Sequence, residues 1–139
     1  MFYRAVTCLE WIAEERCLCA TTDGRLLCLD WNGNLLAAVL LDSSVQCLSA
    51  TNTVERGTAP VIFAGCQDGS VRAWKLCPHG EDDEFSDHKI DGLGFTSLWV
   101  WRDAHVAGCI CAISFLLSEG RLPRLVSAGE DGTVALWKF

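Results

Sequence analysis

Short apolar runs rich in Val, Leu, Ile, Ala and Cys alternate along the chain with tight polar turns, a pattern that predicts strands. The clearest example is the last stretch, Leu125-Val-Ser-Ala-Gly-Glu-Asp-Gly-Thr-Val-Ala-Leu-Trp-Lys-Phe139. Two apolar runs flank Glu130-Asp131-Gly132, a turn whose Gly accepts positive φ, so the stretch reads as a β-hairpin. Ile62-Phe-Ala-Gly-Cys-Gln-Asp-Gly-Ser-Val-Arg-Ala-Trp74 repeats it, and in both copies the Trp follows the turn Asp by six residues. A weaker third copy runs from Cys17 to Trp31 around Asp23-Gly24, with Leu29 at the position of the Trp.

Further strands fill the intervals. Val6 to Trp11 precedes the first hairpin, and Asn32-Gly33, a type I′ turn signal, leads into a strand over Leu35 to Leu41. Val45 to Ala50, Thr96 to Arg102 and Ile110 to Phe115 complete the set, with a polar loop from Asn52 to Pro60. In the outer strand Trp99 and Trp101 share one side, and packing against an adjacent sheet is expected for them. The strands are apolar on both faces, as when each sheet is packed between two others. Turn aspartates at 23, 68 and 131 give periods of 45 and 63 residues. The first is close to the roughly 40–45 residues of a propeller blade. The second is lengthened by an insertion over residues 77–95.

In these residues the chain resembles the WD-repeat (WD40) β-propeller family. The resemblance implies an all-β fold of about three four-stranded antiparallel blades in an incomplete ring: residues 1–41, 42–104 with the insertion, and 105–139. It also implies a buried hydrogen-bond chain of His, Ser or Thr, Asp and Trp. The third blade has all four as His105, Ser127, Asp131 and Trp137. The second keeps Asp68 and Trp74 but has Ala64 at the hydroxyl position and no His, so its network is expected to be incomplete. The first keeps Asp23 alone, with Cys19 at the hydroxyl position. Four, four and three strands are too few to close a ring. The chain therefore reads either as part of a longer propeller or as a half-ring that pairs with another copy or another chain.

A narrower resemblance rests on Asp30-Trp-Asn-Gly-Asn-Leu-Leu-Ala37, Ser44-Val-Gln-Cys-Leu48 and Val61-Ile-x-x-Gly-x-x-Asp-Gly-x-Val-Arg-x-Trp74. These are similar to the C-terminal propeller of BEACH-domain proteins, which implies a cytoplasmic scaffold in vesicle trafficking. In WD-repeat proteins the residue before the turn Asp often faces a protein partner. That carries over to Thr22, Gln67 and Glu130, and Asp42 and Asp103 in the connections between blades join them as candidates.

Composition narrows the chemistry. A net charge of −7 with scattered Lys and Arg argues against binding to nucleic acid. No apolar run is long enough to cross a bilayer and no signal peptide is evident, so an intracellular protein without direct membrane insertion is expected. Nine Cys residues fall mostly inside apolar runs, where they pack as small hydrophobes in a reducing compartment. Cys17-x-Cys19 and Cys109-x-Cys111 are too closely spaced for the usual zinc motifs, so neither metal nor cofactor is expected. A Cys-dependent hydrolase using His105 is a remote alternative, because no nucleophile motif or phosphate loop appears. The insertion carries Glu81, Asp82, Asp83, Glu84, Asp87 and Asp91 against Lys89 alone and reads as a solvated acidic loop. His79 and His88 lie within it without calcium-loop spacing. The expectation from sequence is a non-enzymatic protein-interaction scaffold without catalytic residues.

Overall fold

The computed structural model describes residues 5–12, 15–51, 60–78, 93–105, 108, 110–116 and 123–138. Eleven strands and, among the described residues, no helix form three antiparallel sheets. Blade 1 comprises β1 (Val6–Ile12), β2 (Arg16–Thr21), β3 (Arg25–Leu29) and β4 (Leu35–Leu40) in sequential order. Blade 2 repeats it with β5 (Val45–Ala50), β6 (Val61–Cys66), β7 (Val71–Pro78) and β8 (Leu93–Trp101). Blade 3 holds β9 (Ile110–Leu116), β10 (Arg124–Gly129) and β11 (Val134–Lys138). The blades stand side by side as an arc, and the ring is not closed.

Tight turns between the second and third strands set this order. Gly24, Gly69 and Gly132 have φ of 88°, 83° and 80°, and each donates its N–H to the carbonyl three residues back. That conformation is strained for any residue with a Cβ. At Gly69 a Cβ would also lie 2.3 Å from the His105 carbonyl oxygen, so the connection into blade 3 can lie directly on the turn.

Period-two alternation then splits each sheet into two faces, and blade 2 packs with both. Leu18, Leu26 and Cys28 of blade 1 pack in one cluster with Ile62, Trp74 and Leu76 of blade 2. The other face of blade 2 brings Phe63, Val71 and Ala73 against Ile110, Ile113 and Leu125 of blade 3. Gly65 allows the close approach there, since a Cβ would come within 2.5 Å of Ile110 Cγ2. Along this second junction runs an aromatic series. Phe115 stacks on Phe63 at 5.1 Å, Phe63 meets Trp99 at 5.8 Å, and Trp99, Trp101 and Trp137 stack at 3.7 and 4.0 Å. The outer-strand indoles therefore pack between blades, while Leu98 and Val100 on the opposite side of β8 are exposed.

Two local features depart from the sequence reading. The loop expected over residues 77–95 is strand at both ends, because β7 and β8 continue their ladder through Cys77↔Gly94 and Pro78↔Leu93. Consecutive antiparallel strands keep pairing their backbone groups for as long as they run together. The acidic residues 81–91 with His79 and His88 lie outside the described residues, as does the loop 52–59. A register shift falls at the same place in two blades, Cys28/Leu29 and Ala73/Trp74, so the irregularity belongs to the repeat.

This packing predicts a sharp contrast. Phe63→Ala, removing a ring 3% exposed from the middle of the second junction, should cost about 3–5 kcal/mol in a denaturant or thermal melt. Leu98→Ala, on the exposed side of β8, should stay within about 0.5 kcal/mol of the parent.

Candidate functional site

The three turn aspartates lie at one end of the sheets, together with the connections that join successive blades. In blade 3 a continuous hydrogen-bond chain holds the turn. Trp137 Nε1–H donates to Ser127 Oγ at 3.0 Å, and Ser127 Oγ lies 2.9 Å from His105 Nε2. His105 Nδ1 is 3.1 Å from Asp131 Oδ1 and 2.9 Å from Thr133 Oγ1. The Ser hydroxyl accepts from the indole, leaving its own proton for Nε2, so a neutral His105 carries its proton on Nδ1 toward the carboxylate. His105 and Ser127 are buried. The imidazole lies against Gly129, where a Cβ would come 2.4 Å from Nδ1.

Blade 2 lacks the His and the hydroxyl at Ala64, and the expected gap in its network is filled by other residues. Ser70 donates both its hydroxyl and its backbone N–H to Asp68 Oδ1, at 2.5 and 2.9 Å. Arg72 donates from Nε to Ser70 Oγ at 3.0 Å and from Nη2 to Asp68 Oδ2 at 3.0 Å. The same Nη2 reaches Asp42 Oδ1 at 2.6 Å, which ties the connection between blades 1 and 2 to strand β7. Arg72 is 6% exposed, and two carboxylates and a hydroxyl compensate its guanidinium. Blade 1 uses Thr21, whose hydroxyl donates to Asp23 Oδ1, and Arg25, whose Nε is 3.1 Å from Asp23 Oδ2. Where no imidazole occupies the space, the residue two before the Asp carries a side chain, Thr21 or Cys66; where His105 occupies it, the residue is Gly129.

Sequence reasoning missed Thr21, Arg25, Ser70, Arg72 and Thr133. Ser70 and Thr133 were detectable as hydroxyls two residues after the turn Asp in two copies. Arg72 was not, because its second partner is thirty positions away in sequence. Trp74 packs in the first junction rather than at the surface.

These contacts set the acidities. Side-chain and backbone hydrogen bonds from Thr133, followed by His105, hold Asp131 down to about 2. The Arg72 hydrogen bond and charge lower Asp42. At Asp68 burial pushes the pKa up, but bonds from Ser70 and the Arg72 charge outweigh it and the carboxyl ends below its usual range. Burial raises the Cys28 and Cys66 thiols to about 11, so both are protonated and poor nucleophiles at neutral pH.

Between blades 1 and 2 this end of the arc opens into a shallow cleft of about 380 Å³. Thr22, Asp42 and Gln67 line it with Asp23, Ser43 and Asp68. Backbone bonds fix the walls: Gln67 N–H donates to Ser44 O at 2.8 Å and Asp68 N–H to Ser43 Oγ at 3.2 Å. Of the other candidate contact residues, Glu130 lies over Gly108 at the second junction, and Asp103 is exposed next to Arg102. The structure thus brings three of the five into one cleft and leaves two outside it. Among the described residues no group of three His, Cys, Asp or Glu is placed to hold a metal ion, and no helix is long and apolar enough to cross a membrane.

Comparison with known proteins agrees with this geometry. Residues 96–138 match the model of the family described as "WD domain, G-beta repeat". No curated protein sequence matches the chain. Among solved structures, the computationally designed Ika8 protein superposes with a TM-score of 0.62 at 18% identity, over 96% of this chain and 33% of its own. The C-terminal WD40 domain of Sif2 gives 0.63 at 10% identity, over 97% and 34%. The chain therefore spans about a third of the length of each. The repeat match and the fold together support the WD40 propeller family, whose members are generally non-catalytic scaffolds that bind other proteins.

Two measurements check the anchors. Ser127→Ala leaves the half-buried Trp137 N–H and the buried His105 Nε2 without their common partner and should cost about 1–3 kcal/mol in a thermal or urea melt. Asp131 has a folded pKa of about 2 against roughly 3.9 unfolded, so its contribution is present above about pH 4 and lost as pH falls toward 2. Melting temperature should fall across that window, and by less in Asp131→Asn, which has no carboxyl there to titrate.

Proposed function

We propose that this chain is a non-enzymatic protein-interaction scaffold that receives a segment of a partner in the cleft between blades 1 and 2. The observation that carries this reading is the convergence of Thr22, Asp42 and Gln67, from three separate loops, on one cleft whose walls are fixed by the Asp68–Arg72–Asp42 links. Loops held by a rigid framework are suited to recognition, because little conformational freedom is lost when a partner binds. Hydroxyl, amide and carboxylate groups line the cleft, with Leu41 the aliphatic exception, so the segment it fits is a polar one held by hydrogen bonds. Glu130 and Asp103 extend the contact surface toward blade 3. The turn residues Asp23, Asp68 and Asp131 serve as anchors of the surface rather than as contacts.

The stretches 30–37, 44–48 and 61–74, similar to the propeller of BEACH-domain proteins, support placing the scaffold in cytoplasmic membrane trafficking. A hydrolase reading has little to stand on, since both ring nitrogens of His105 already lie within hydrogen-bonding distance of Ser127, Asp131 and Thr133.

The test is affinity capture from cell extract with the parent chain and with Thr22→Lys/Gln67→Lys, two exposed positions that leave the Arg72 links intact. The double variant should keep the parent's melting temperature within a few degrees and lose at least tenfold of its captured partner. Asn32→Lys, at the other end of blade 1, should retain it. Equal capture by all three proteins would refute the cleft as the contact surface.

A further inference from the structure

The cleft between blades 1 and 2 is uneven in its chemistry. Among the described residues that line it are three carboxylates, Asp23, Asp42 and Asp68, and no Lys, Arg or His. The cations that answer them stand behind or beside the wall. Arg25 Nε lies 3.1 Å from Asp23 Oδ2, one charge against one. Arg72, by contrast, reaches Asp42 Oδ1 at 2.6 Å and Asp68 Oδ2 at 3.0 Å from the same Nη2, so one buried guanidinium answers two carboxylates.

The excess negative charge falls on one atom. Asp68 has both oxygens engaged, Oδ1 by Ser70 and Oδ2 by Arg72. Asp42 commits Oδ1 to Arg72, whereas its Oδ2 faces Arg102 Nη1 at 3.8 Å, beyond hydrogen-bonding reach. The side chains of that second pair are 62% and 69% exposed, so water screens it. The hydrogen bond and charge of Arg72 hold the Asp42 carboxyl below its usual range, which keeps it ionised. With Oδ1 tied to a buried group, the carboxylate keeps one orientation and offers Oδ2 to whatever enters the cleft.

The geometry points to a cationic side chain, Lys or Arg, in the partner segment that this cleft receives: it pairs with Asp42 Oδ2 and takes the place that Arg102 holds loosely in the free chain. This rests on the cleft reading above and adds the charge of the partner to it. A segment that covers the cleft removes the water that screens Asp42, and the carboxylate oxygen then needs a cation at hydrogen-bonding distance rather than at 3.8 Å. The hydroxyls of Thr22 and Ser43 and the side-chain carbonyl of Gln67 supply acceptors for the other donors of an ammonium or guanidinium. An acidic or phosphorylated segment would instead bring like charge against the three carboxylates, which selects against it.

The test is a selection of phage-displayed random peptides on the full 139-residue chain, with binders of the Thr22→Lys/Gln67→Lys variant removed. The selected peptides should share a Lys or Arg at one position, and replacing it by Gln should weaken binding about tenfold or more. Asp42→Asn should bring the basic and Gln forms of a peptide to within about twofold of each other, because Asn keeps an oxygen for Arg72 but carries no charge. Arg102→Ala should tighten the basic peptide about twofold or more, since the competitor for Oδ2 is gone. Selected peptides without a shared basic position, a Gln form that binds as well as the basic one, or a discrimination that survives Asp42→Asn overturns the cationic assignment and leaves the cleft reading standing. A selection that yields no peptide distinguishing the parent from the double variant refutes the cleft reading, and the assignment falls with it. Should Asp42→Asn fail to keep the parent's melting temperature, Arg102→Ala at its exposed site decides, and unchanged or weaker binding of the basic peptide there overturns the assignment.

Discussion

A carboxylate at the tip of each central hairpin is the constraint on which the rest of this protein depends. Strand order, the approach of one blade to the next and the shape of the loop surface all require the Asp-Gly turn to keep one conformation. The Asp keeps it by accepting hydrogen bonds from the backbone and hydroxyl that follow it, as with Ser70 and Thr133. A second group faces it within hydrogen-bonding or ion-pair distance: the His105 imidazole in blade 3, the Arg72 guanidinium in blade 2 and the Arg25 guanidinium in blade 1. The three solutions differ in composition but satisfy the same electrostatic need, that a part-buried carboxylate be hydrogen-bonded and faced by a donor.

The choice of donor has consequences for neighbouring blades. His105 comes from the connection after blade 2 and reaches the turn of blade 3, so it fastens that connection to the turn. Arg72 comes from within its own blade and reaches back to Asp42 at the end of blade 1, so it fastens the preceding one. Both span a junction whose interior is apolar, and the polar links at the loop end thereby fix the angle at which the apolar faces meet. The aromatic series from Phe115 through Phe63 to Trp137 fills the second junction, and the smaller side chains around Leu18, Leu26 and Ile62 fill the first.

Rigidity at the junctions leaves recognition to the surface. Thr22 and Gln67 precede anchored aspartates, so their backbone is held while their side chains face outward. A partner meeting such a surface finds its hydrogen-bonding groups already in place. The outer faces of blades 1 and 3 have a different character, with exposed aliphatic and indole groups, Val6, Leu9 and Trp11 on one and Val134 and Leu136 on the other.

What the sequence determined by itself was local. Positive φ at the turn glycines, alternation in the strands and the interval from Asp to Trp are properties of a few adjacent residues, and they sufficed for the strands, the blade count and the fold class. The four members of the blade 3 hydrogen-bond chain could also be named from sequence, because the WD-repeat resemblance places them at fixed offsets. Tertiary structure alone decided the rest. That Arg72 joins Asp68 to Asp42, that Thr22, Asp42 and Gln67 share a cleft, and that Val6, Leu9, Val134 and Leu136 are bare where their repeat equivalents are covered are facts about residues distant in sequence. Alternation marks which side chains share a face, but which face meets a neighbour is set by how whole sheets stack, and that is an energy of packing between blades rather than of any one strand.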